Sequence, residues 1–291
     1  MATTSTIAAL TLVQENKIGE LLPDLGASER FEASGVLAKG DDYFVVFDNH
    51  TALARIKKDL RSSSSNELIG TAPVKGGYEG ISYNADKHRY YLLVESLSDD
   101  DEHRAGVVEY SEAFEFVKSR PIDFAFKSGN KGFEAVAHVR RNGRDFALAL
   151  CEGNKCQSGR KGRQPGNGRI QVFEKTKKRW SHVDTIKLPK SVEFVDYSGM
   201  SLDTGRTAVV SQENSMLWVG MFEESSWSWR DEGQLYEFPR TSDGEIQYGN
   251  IEGVSWITPY RIVAVSDRRK SDQPKHFADK DQSIHVFDIP V

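Results

Sequence analysis

The amino-acid sequence predicts an all-β protein built as one five-bladed β-propeller, with a six-bladed ring as the alternative. Three observations lead to this fold class: a short stretch recurs five times, its spacing is regular, and no long helical periodicity interrupts it. The spacings are 45, 55, 64 and 54 residues when Gly35, Gly80, Ala135, Gly199 and Gly253 are taken as equivalent. Such a period is typical of one four-stranded sheet per repeat.

Each copy predicts a short strand, a tight turn and a second strand. The second strands are nearly continuous runs of β-branched, aromatic and other apolar residues, which is typical of strands buried on both faces. Turn residues separate the two strands, as in "KGDD", "NADK", "RNGR" and "DTGR". In chain order the copies are "FEASGVLAKGDDYFVVFDN" (31–49), "GYEGISYNADKHRYYLLVES" (77–96), "GFEAVAHVRRNGRDFALALCEGN" (132–154), "DYSGMSLDTGRTAVVSQEN" (196–214) and "NIEGVSWITPYRIVAVSDR" (250–268).

Further strand-like segments follow each pair and complete the sheets, for example "TALARIKK", "AGVVEYS" and "GRIQVFEK". The last repeat has three strands, whereas "ALTLVQENKIGE" near the N-terminus is a strand without a repeat. We expect this N-terminal strand to pair with the final blade and close the ring, because closure removes an exposed sheet edge. The prediction is therefore a single propeller domain over residues 1–291, since two stacked sandwich domains would not explain five equivalent hairpins.

Composition limits the classes of function. The net charge of −5 lacks the excess of Lys and Arg that nonspecific nucleic-acid binding requires. The N-terminal segment has neither the basic region of a signal peptide nor an unbroken apolar span. The two cysteines, Cys151 and Cys156, are expected to be reduced thiols, with a local disulfide as the alternative. We therefore expect a cytoplasmic protein that binds neither nucleic acid nor membrane, and its oligomeric state is left open.

The residue before each aligned glycine or alanine is an acid or a serine. If the first strands line a central channel, these side chains surround its mouth, and crowded carboxylates favour a compensating cation. Oxygen ligands suit calcium, or alternatively magnesium, better than zinc. Capping of strand ends and pairing with loop Arg and Lys remain the other interpretation. The candidate ligands of a divalent metal are Glu79, Glu134, Glu252, Ser34 and Ser198.

A second set of polar residues stands where each second strand ends, on the same face of the disk because the two strands are antiparallel. Two long basic loops, 153–168 and 267–282, follow on this face and are suited to a ligand that carries phosphate or carboxylate. We assign Arg268, Asp48, Glu95, Gln212 and Tyr197 to substrate binding, and Glu152, Asp267 and His50 to catalysis.

The positions of the histidines are a weaker indication of a catalytic site on this face. His50, His103 and His276 fall in or near loops of this face, where one could act as a general base near neutral pH, although a solvent-exposed role is the simpler interpretation. The sequence contains no G-x-S-x-G elbow, P-loop, H-E-x-x-H or dinucleotide fingerprint.

The strand starts "ASGV", "YEGISY", "YSGMSL" and "IEGVSW" resemble those of the SdiA-regulated and esterase-like-phytase propellers, with a more distant likeness to lactonase and strictosidine-synthase-like propellers. The resemblance runs from about residue 31 to 288, and the third copy departs from it with "FEAVAH". It implies a calcium-supported propeller that hydrolyses phosphoesters or related esters.

Three functions are compatible with these patterns. The first is a metal-dependent hydrolase that acts on a small anionic ester, phosphoester or lactone at the acidic mouth. The second is a non-catalytic binding propeller, lectin-like or protein-binding, with Trp227 and Trp229 as an exposed contact strip. The third is a five-bladed glycosidase, which would need a pair of carboxyl groups and aromatic platforms, for which Tyr78, Phe133 and Tyr197 are the candidates.

Overall fold

The computed structural model describes residues 7–23, 30–70, 77–95, 104–126, 132–223 and 225–290. Within these ranges the chain is almost entirely β-structure, as the sequence predicts. The helical segments are short: α1 (Ile18–Leu21), α2 (Gly159–Gly162) and two 3-10 turns, Asn154–Cys156 and Lys275–Asp279. In the described part of the chain, no helix combines the length and the apolar character needed to cross a bilayer.

The strands are numbered in chain order. Those of the first half are β1 (Ala8–Ala9), β2 (Thr11–Lys17), β3 (Ala33–Lys39), β4 (Asp42–Phe47), β5 (Ala52–Lys57), β6 (Glu67–Gly70), β7 (Tyr78–Asn84), β8 (Arg89–Val94), β9 (Gly106–Ser111), β10 (Phe116–Asp123), β11 (Phe133–Arg141) and β12 (Arg144–Cys151). Those of the second half are β13 (Arg169–Lys175), β14 (Trp180–Lys187), β15 (Gly199–Asp203), β16 (Arg206–Ser211), β17 (Met216–Glu223), β18 (Ser228–Trp229), β19 (Gln234–Glu237), β20 (Ile251–Thr258), β21 (Arg261–Ser266) and β22 (Ser283–Asp288).

The strands form antiparallel units arranged as a β-propeller. Four units run from β3 to β6, from β7 to β10, from β11 to β14, and through β15, β16, β17 and β19. A further unit consists of β20, β21, β22 and β2. The second and third units merge into one sheet, because the outer strands β10 and β14 pair in parallel, with Ile122 opposite Trp180. That junction was not predicted from the sequence.

The first strand of each unit lies innermost. Within the described residues, β3, β7, β11, β15 and β20 contact one another in a closed order. The second strands β4, β8, β16 and β21 are buried along nearly their whole length, which confirms the expectation drawn from their continuous apolar sequences. The apolar core lies in clusters between adjacent units, such as Phe44, Val46 and Leu53 against Tyr90 and Leu92.

The N-terminal strand completes the last unit. β2 pairs antiparallel with β22, as the sequence predicts, and the two residues of β1 pair in parallel with β19 of the preceding unit. The N-terminal segment therefore joins two neighbouring sheets. Lys17 ends β2 and donates from Nζ to the carboxylate of Asp281 at 2.9 Å and to the carbonyl of Ala278 at 2.7 Å.

The two cysteines form a disulfide, so the expectation of reduced thiols is wrong. Cys151 is the last residue of β12, and Cys156 ends the 3-10 turn that follows. Short sequence separation and a left-handed turn at Lys155 (φ 57°) bring the two sulfur atoms together. Since disulfides persist mainly in oxidising environments, the cysteines no longer support a cytoplasmic location.

The proposed contact strip at Trp227 and Trp229 is largely used in packing. The indole N–H of Trp229 donates to the carbonyl of Lys187 at 2.8 Å. Trp227 packs against Phe146 with ring centroids 5.1 Å apart and lies under the guanidinium of Arg141. Both indoles are half-buried between neighbouring sheets, because aromatic side chains fill the widening gap between blades.

An acidic cavity as the candidate functional site

Register shifts in the inner strands determine where the side chains of the inner acids point. In β3, β7, β11 and β20 the register with the second strand skips one residue immediately before the aligned glycine or alanine. A β-bulge breaks the alternation of side chains between the two faces and redirects the extra residue. The skipped residues are Ser34, Glu79, Glu134 and Glu252.

Polar side chains of all five repeats meet around one cavity of about 550 Å³. Among the described residues, eight carboxylates and one amide line this acidic cavity: Glu32, Asp48, Glu79, Glu95, Glu134, Glu152, Gln212, Glu252 and Asp267. The remaining lining residues are Arg268, Arg269, Lys270 and Ser271. The predicted inner and outer acids are thus brought to one place, and their roles remain predictions.

Burial and mutual repulsion make the inner acids hard to ionise. Burial raises the pKa of Glu79 to about 8, and the negative charges of Asp48 and Glu95 act in the same direction. Glu252 lies deeper; its burial and the nearby Asp267 and Glu79 hold its pKa well above the usual range. With no cation bound, these two groups are therefore largely protonated at neutral pH.

Two of the outer acids, Asp267 and Asp48, also have raised pKa values. Burial raises the pKa of Asp267 to about 6, while the backbone N–H of Arg268, which donates to its carboxylate, partly opposes that shift. The pKa of Asp48 is also raised, first by burial and then by the charge of Glu32. Asp267 is thus ionised at pH 7 yet basic enough to accept a proton.

The serines of the inner positions are engaged in hydrogen bonds between strands. The hydroxyl of Ser198 donates to the carbonyl of Ile251 at 2.7 Å, and the hydroxyl of Ser34 donates to the carbonyl of Tyr78. Both serines are about 3% exposed. Each therefore fastens its strand to the residue that precedes the glutamate of the next strand, and their predicted role as metal ligands is not needed to explain them.

Arg268, Arg269 and Lys270 form the basic wall of the cavity, and they belong to the loop that follows β21. Asn250 donates from Nδ2 to the carbonyl of Arg268 at 2.9 Å, and the backbone N–H of Arg269 donates to Asp281, also at 2.9 Å. The side chains of Arg268 and Lys270 make no hydrogen bond or ion pair within the part of the chain that the structure describes. Arg268 thus presents a guanidinium to the cavity, whereas the charge of Lys270 partly offsets the raised pKa values of Asp48, Glu252 and Asp267.

Tyr197 and His50, like Ser34 and Ser198, are predicted site residues that do not line the cavity. Tyr197 is fully buried, and its hydroxyl donates to the side-chain oxygen of Asn154 at 3.0 Å, so it belongs to the core. His50 packs against Phe31 and Phe47, and its Nε2 lies 2.9 Å from the carbonyl of Arg30. The residue before each inner acid or serine is fully buried, and Tyr197, which precedes Ser198, holds this position in the fourth repeat.

The other candidate histidine among the described residues, His276, also has its hydrogen-bond partner outside the cavity. His276 has its Nε2 2.9 Å from the carbonyl of Ile246, beside the ring of Phe277. His103 lies outside the described residues. No histidine lines the acidic cavity within the described ranges, so acid–base chemistry there would rest on carboxyl groups.

A buried relay of Ser266, His285 and Glu15 has the distances of a nucleophilic triad. The hydroxyl of Ser266 lies 2.8 Å from Nε2 of His285, whose Nδ1 is 3.0 Å from Glu15. Ser266 is 1% and His285 0% exposed. No substrate can reach this hydroxyl, and the relay instead fastens β2 to β22 and β21.

The donor chemistry of the cavity suits a hard cation, since its ligands are carboxylate and amide oxygens. Over the described ranges, however, no three His, Cys, Asp or Glu side chains are grouped closely enough to hold a metal ion directly. A cation in the acidic cavity would therefore be bound partly through water molecules or after movement of the glutamate side chains.

One acid of the cavity was missed in the sequence. Glu32 stands two residues before Ser34, the position that Gly77, Gly132, Asp196 and Asn250 occupy in the other repeats. The aligned stretches already contain this position, but its residue type differs between repeats, so it did not stand out. In the same column, burial raises the pKa of Asp196 to about 6, and its carboxylate accepts a hydrogen bond from the hydroxyl of Ser211.

Comparison with protein-family models gave no match, and comparison with curated proteins gave none either. Among solved structures, glutaminyl cyclase of Myxococcus xanthus is similar at a TM-score of 0.56 and 10% identity, over 99% of this chain and 100% of that one. A luciferin-regenerating enzyme gives 0.53 and 8% over 94% of both chains. The PQQ-bound aldose sugar dehydrogenase of Streptomyces coelicolor gives 0.51 and 11% over 94% and 98%. At such identities the likeness shows the β-propeller fold alone.

Proposed function

We propose that the acidic cavity binds a divalent cation, calcium with magnesium as the alternative, and that the protein hydrolyses a small anionic ester, phosphoester or lactone there. The observation that carries this proposal is the meeting of eight carboxylates with the cationic side chains of Arg268 and Lys270 around one cavity among the described residues. We further propose one blade for each four-stranded unit, which makes the ring five-bladed and the chain a single domain.

The inner glutamates are the proposed cation ligands. Glu79, Glu134 and Glu252 come from three different inner strands and supply the oxygen donors that calcium prefers. A bound cation would favour the ionised forms of Glu79 and Glu252, whose pKa values are raised by burial and by neighbouring acids. Such a cation supplies charge stabilisation at the reacting oxygen of an ester.

The outer residues are proposed to handle water and the substrate anion. Asp267, with a pKa raised to about 6 by burial, is suited to accept a proton from an attacking water. The adjacent Arg268 presents a planar guanidinium that can bind two oxygens of a phosphate or carboxylate. Glu152 lies on the same cavity and is the second candidate base. His50 is left out of this proposal because it does not line the cavity.

The residues that favoured a glycosidase or a binding propeller are used in packing. The aromatic platforms required by a glycosidase, Tyr78, Phe133 and Tyr197, are all fully buried. The contact strip of a binding propeller, Trp227 and Trp229, is packed between sheets. A hydrolase that uses carboxyl groups and a cation depends on neither set.

Calorimetric titration of calcium into EDTA-treated protein tests the cation site. We expect about one ion per chain in the wild type and at least tenfold weaker binding in Glu79→Gln and Glu252→Gln, because each removes a charged oxygen ligand. Asp243→Asn, at an exposed residue outside the cavity, is the matched control and should bind as the wild type does. Equal binding by all four proteins, or no binding, would refute the cation site.

Hydrolysis is tested separately with a panel of aryl phosphoesters, carboxylic esters and lactones. We expect turnover that EDTA abolishes, that Asp267→Asn lowers by about 10²-fold or more in kcat, and that Arg268→Ala lowers mainly through KM for anionic substrates. Turnover that survives both EDTA and Asp267→Asn would contradict the assigned chemistry.

A further inference from the structure

The loop of residues 153–168, which we call the basic loop, contains four cationic residues and no acid. Its sequence is "GNKCQSGRKGRQPGNG", in a protein whose net charge is −5. In the run "GRKGRQ", Arg160 and Lys161 precede Gly162, and Arg163 follows it. Short clusters of Lys and Arg of this kind are typical of surfaces that bind polyanions.

The backbone of the basic loop is fixed in place. The disulfide joins its start to β12, and the fully buried Asn154 donates from Nδ2 to the carbonyls of Gly162 and Phe194, each at 3.0 Å. The side-chain oxygen of Asn154 also accepts from the backbone N–H of Asn167 at 3.0 Å. The loop is thus tied at both ends and in its middle.

Two glycines allow the loop to fold tightly onto itself. A Cβ atom on Gly153 would lie 2.1 Å from the carbonyl oxygen of Gln157, and one on Gly162 would lie 2.0 Å from the same atom. Any side chain at either position would displace the backbone. A loop held in one conformation loses little entropy when it binds a partner.

Most of its cations are uncommitted. Lys155, Arg160 and Lys161 are exposed, and their side chains make no hydrogen bond or ion pair with any described residue. Arg163 differs, because its guanidinium forms a two-pronged pair with the carboxylate of Glu213. Three positive charges are therefore presented to solvent on one fixed loop beside the cavity residue Glu152.

We propose that the basic loop is a binding surface for a sulfated polysaccharide. The loop carries no aromatic side chain on which nucleic-acid bases could stack, and its only exposed apolar side chain is Pro165, which is too small to anchor an acidic peptide. The loop can therefore bind a partner through its cationic and amide side chains. Such contacts suit a flexible chain that bears sulfate groups, because sulfate stays ionised and pairs well with Arg and Lys. The disulfide between Cys151 and Cys156 is typical of oxidising environments such as the extracellular space. This surface lies outside the acidic cavity, and the proposal does not depend on hydrolysis there.

The test is the affinity of the full chain for a fluorescent heparin oligosaccharide, measured by anisotropy over a series of salt concentrations. We expect the triple variant Lys155→Ala, Arg160→Ala, Lys161→Ala to bind about tenfold more weakly at low salt, because three exposed ion pairs are lost. The plot of log affinity against log salt concentration should be less steep for the triple variant than for the wild type, by about two in the magnitude of its slope, since fewer counterions are released.

A matched triple variant of Lys118, Lys177 and Lys178 to alanine removes the same charge from exposed positions away from the basic loop. It should bind heparin as the wild type does. Equal losses in both triple variants would show a response to net charge alone and would overturn the proposal, as would the absence of binding by the wild type. A single-stranded DNA oligonucleotide that binds more tightly than heparin through the same three residues would replace the polysaccharide with nucleic acid.

Discussion

Steric contact at the propeller axis explains why a glycine follows each inner acid or serine in four of the five repeats. A Cβ atom on Gly253 would lie 2.7 Å from the Cα atom of Gly35, and one on Gly35 would lie 2.9 Å from the Cα atom of Gly80. Backbone atoms cannot rotate out of the way as a side chain can, so an added methyl group would push neighbouring inner strands apart. The glycines thus allow the close approach that gathers the bulged acids around one cavity.

A Gly253→Ala substitution tests this contact. We expect it to lower the free energy of unfolding by about 1–3 kcal/mol, measured by urea denaturation, because it overpacks the axis. Gly70→Ala is the control: Gly70 lies in β6 with nothing within 4 Å of an added Cβ. That control should be neutral or slightly stabilising. Equal stability of the two variants would mean that the inner strands can move apart without cost.

The element that closes the ring is β2, which side chains reinforce beyond its hydrogen-bond ladder. Glu15 of β2 accepts from His285 of β22 and from Lys280 in the loop that carries the basic wall of the cavity. Burial opposes ionisation of Glu15, but these partners outweigh it and lower its pKa to about 2 from an ordinary value of 4.5. The fully buried His285 has a lowered pKa, chiefly because of its burial, and is neutral at pH 7.

Glu15→Gln should therefore destabilise the protein by about 2 kcal/mol at neutral pH, since charged hydrogen bonds to two partners are weakened. Because the pKa in the folded protein is depressed, this stabilisation is present above about pH 4.5 and is lost as the pH falls towards 2. The gap between wild type and variant, measured by urea denaturation at several pH values, should narrow over that interval. Glu67→Gln, which removes an exposed pair with Arg55 at the edge strand β6, should cost less than about 1 kcal/mol. A gap that stayed constant down to pH 2 would contradict the assigned ionisation of Glu15.

Across the whole molecule, the acidic cavity makes stability depend on pH and on cations. Folding raises the pKa of Glu79 to about 8 and of Asp267 to about 6, in each case mainly through burial. The folded protein therefore holds more protons than the unfolded chain between their ordinary pKa values near 4 and these raised values. Stability without a cation must fall as the pH rises through this interval.

Thermal melts in EDTA should show a lower Tm at about pH 8 than at about pH 5. If the proposed cation binds, calcium at a hundredfold excess over its Kd should add about 2.7 kcal/mol at the higher pH. The gain should be smaller at the lower pH, where protons compete for the carboxylates. Glu252→Gln should reduce both the pH dependence and the calcium response. Calcium stabilisation that is the same at both pH values would place the ion elsewhere.

Local sequence patterns were sufficient for the strands, the propeller fold and the pairing of β2 with the last sheet. Alternating and continuous apolar runs encode strand burial directly, and turn residues mark where each hairpin reverses. The column of acids before the glycines was also visible, because a residue at the same place in every repeat is carried to the same face of the disk. These features depend on neighbouring residues or on the repeat itself.

Only the tertiary structure decided the features that depend on contacts between distant residues. The bulges that redirect Glu79, Glu134 and Glu252 arise where inner strands converge, and no local pattern announces them. The burial of Tyr197 and the packing of the Trp227 indole depend on which sheet lies alongside. The disulfide requires a left-handed turn that brings two thiols together. Sequence by itself determined the repeating strands and the supply of charge, whereas packing between sheets determined which of those charges share a cavity.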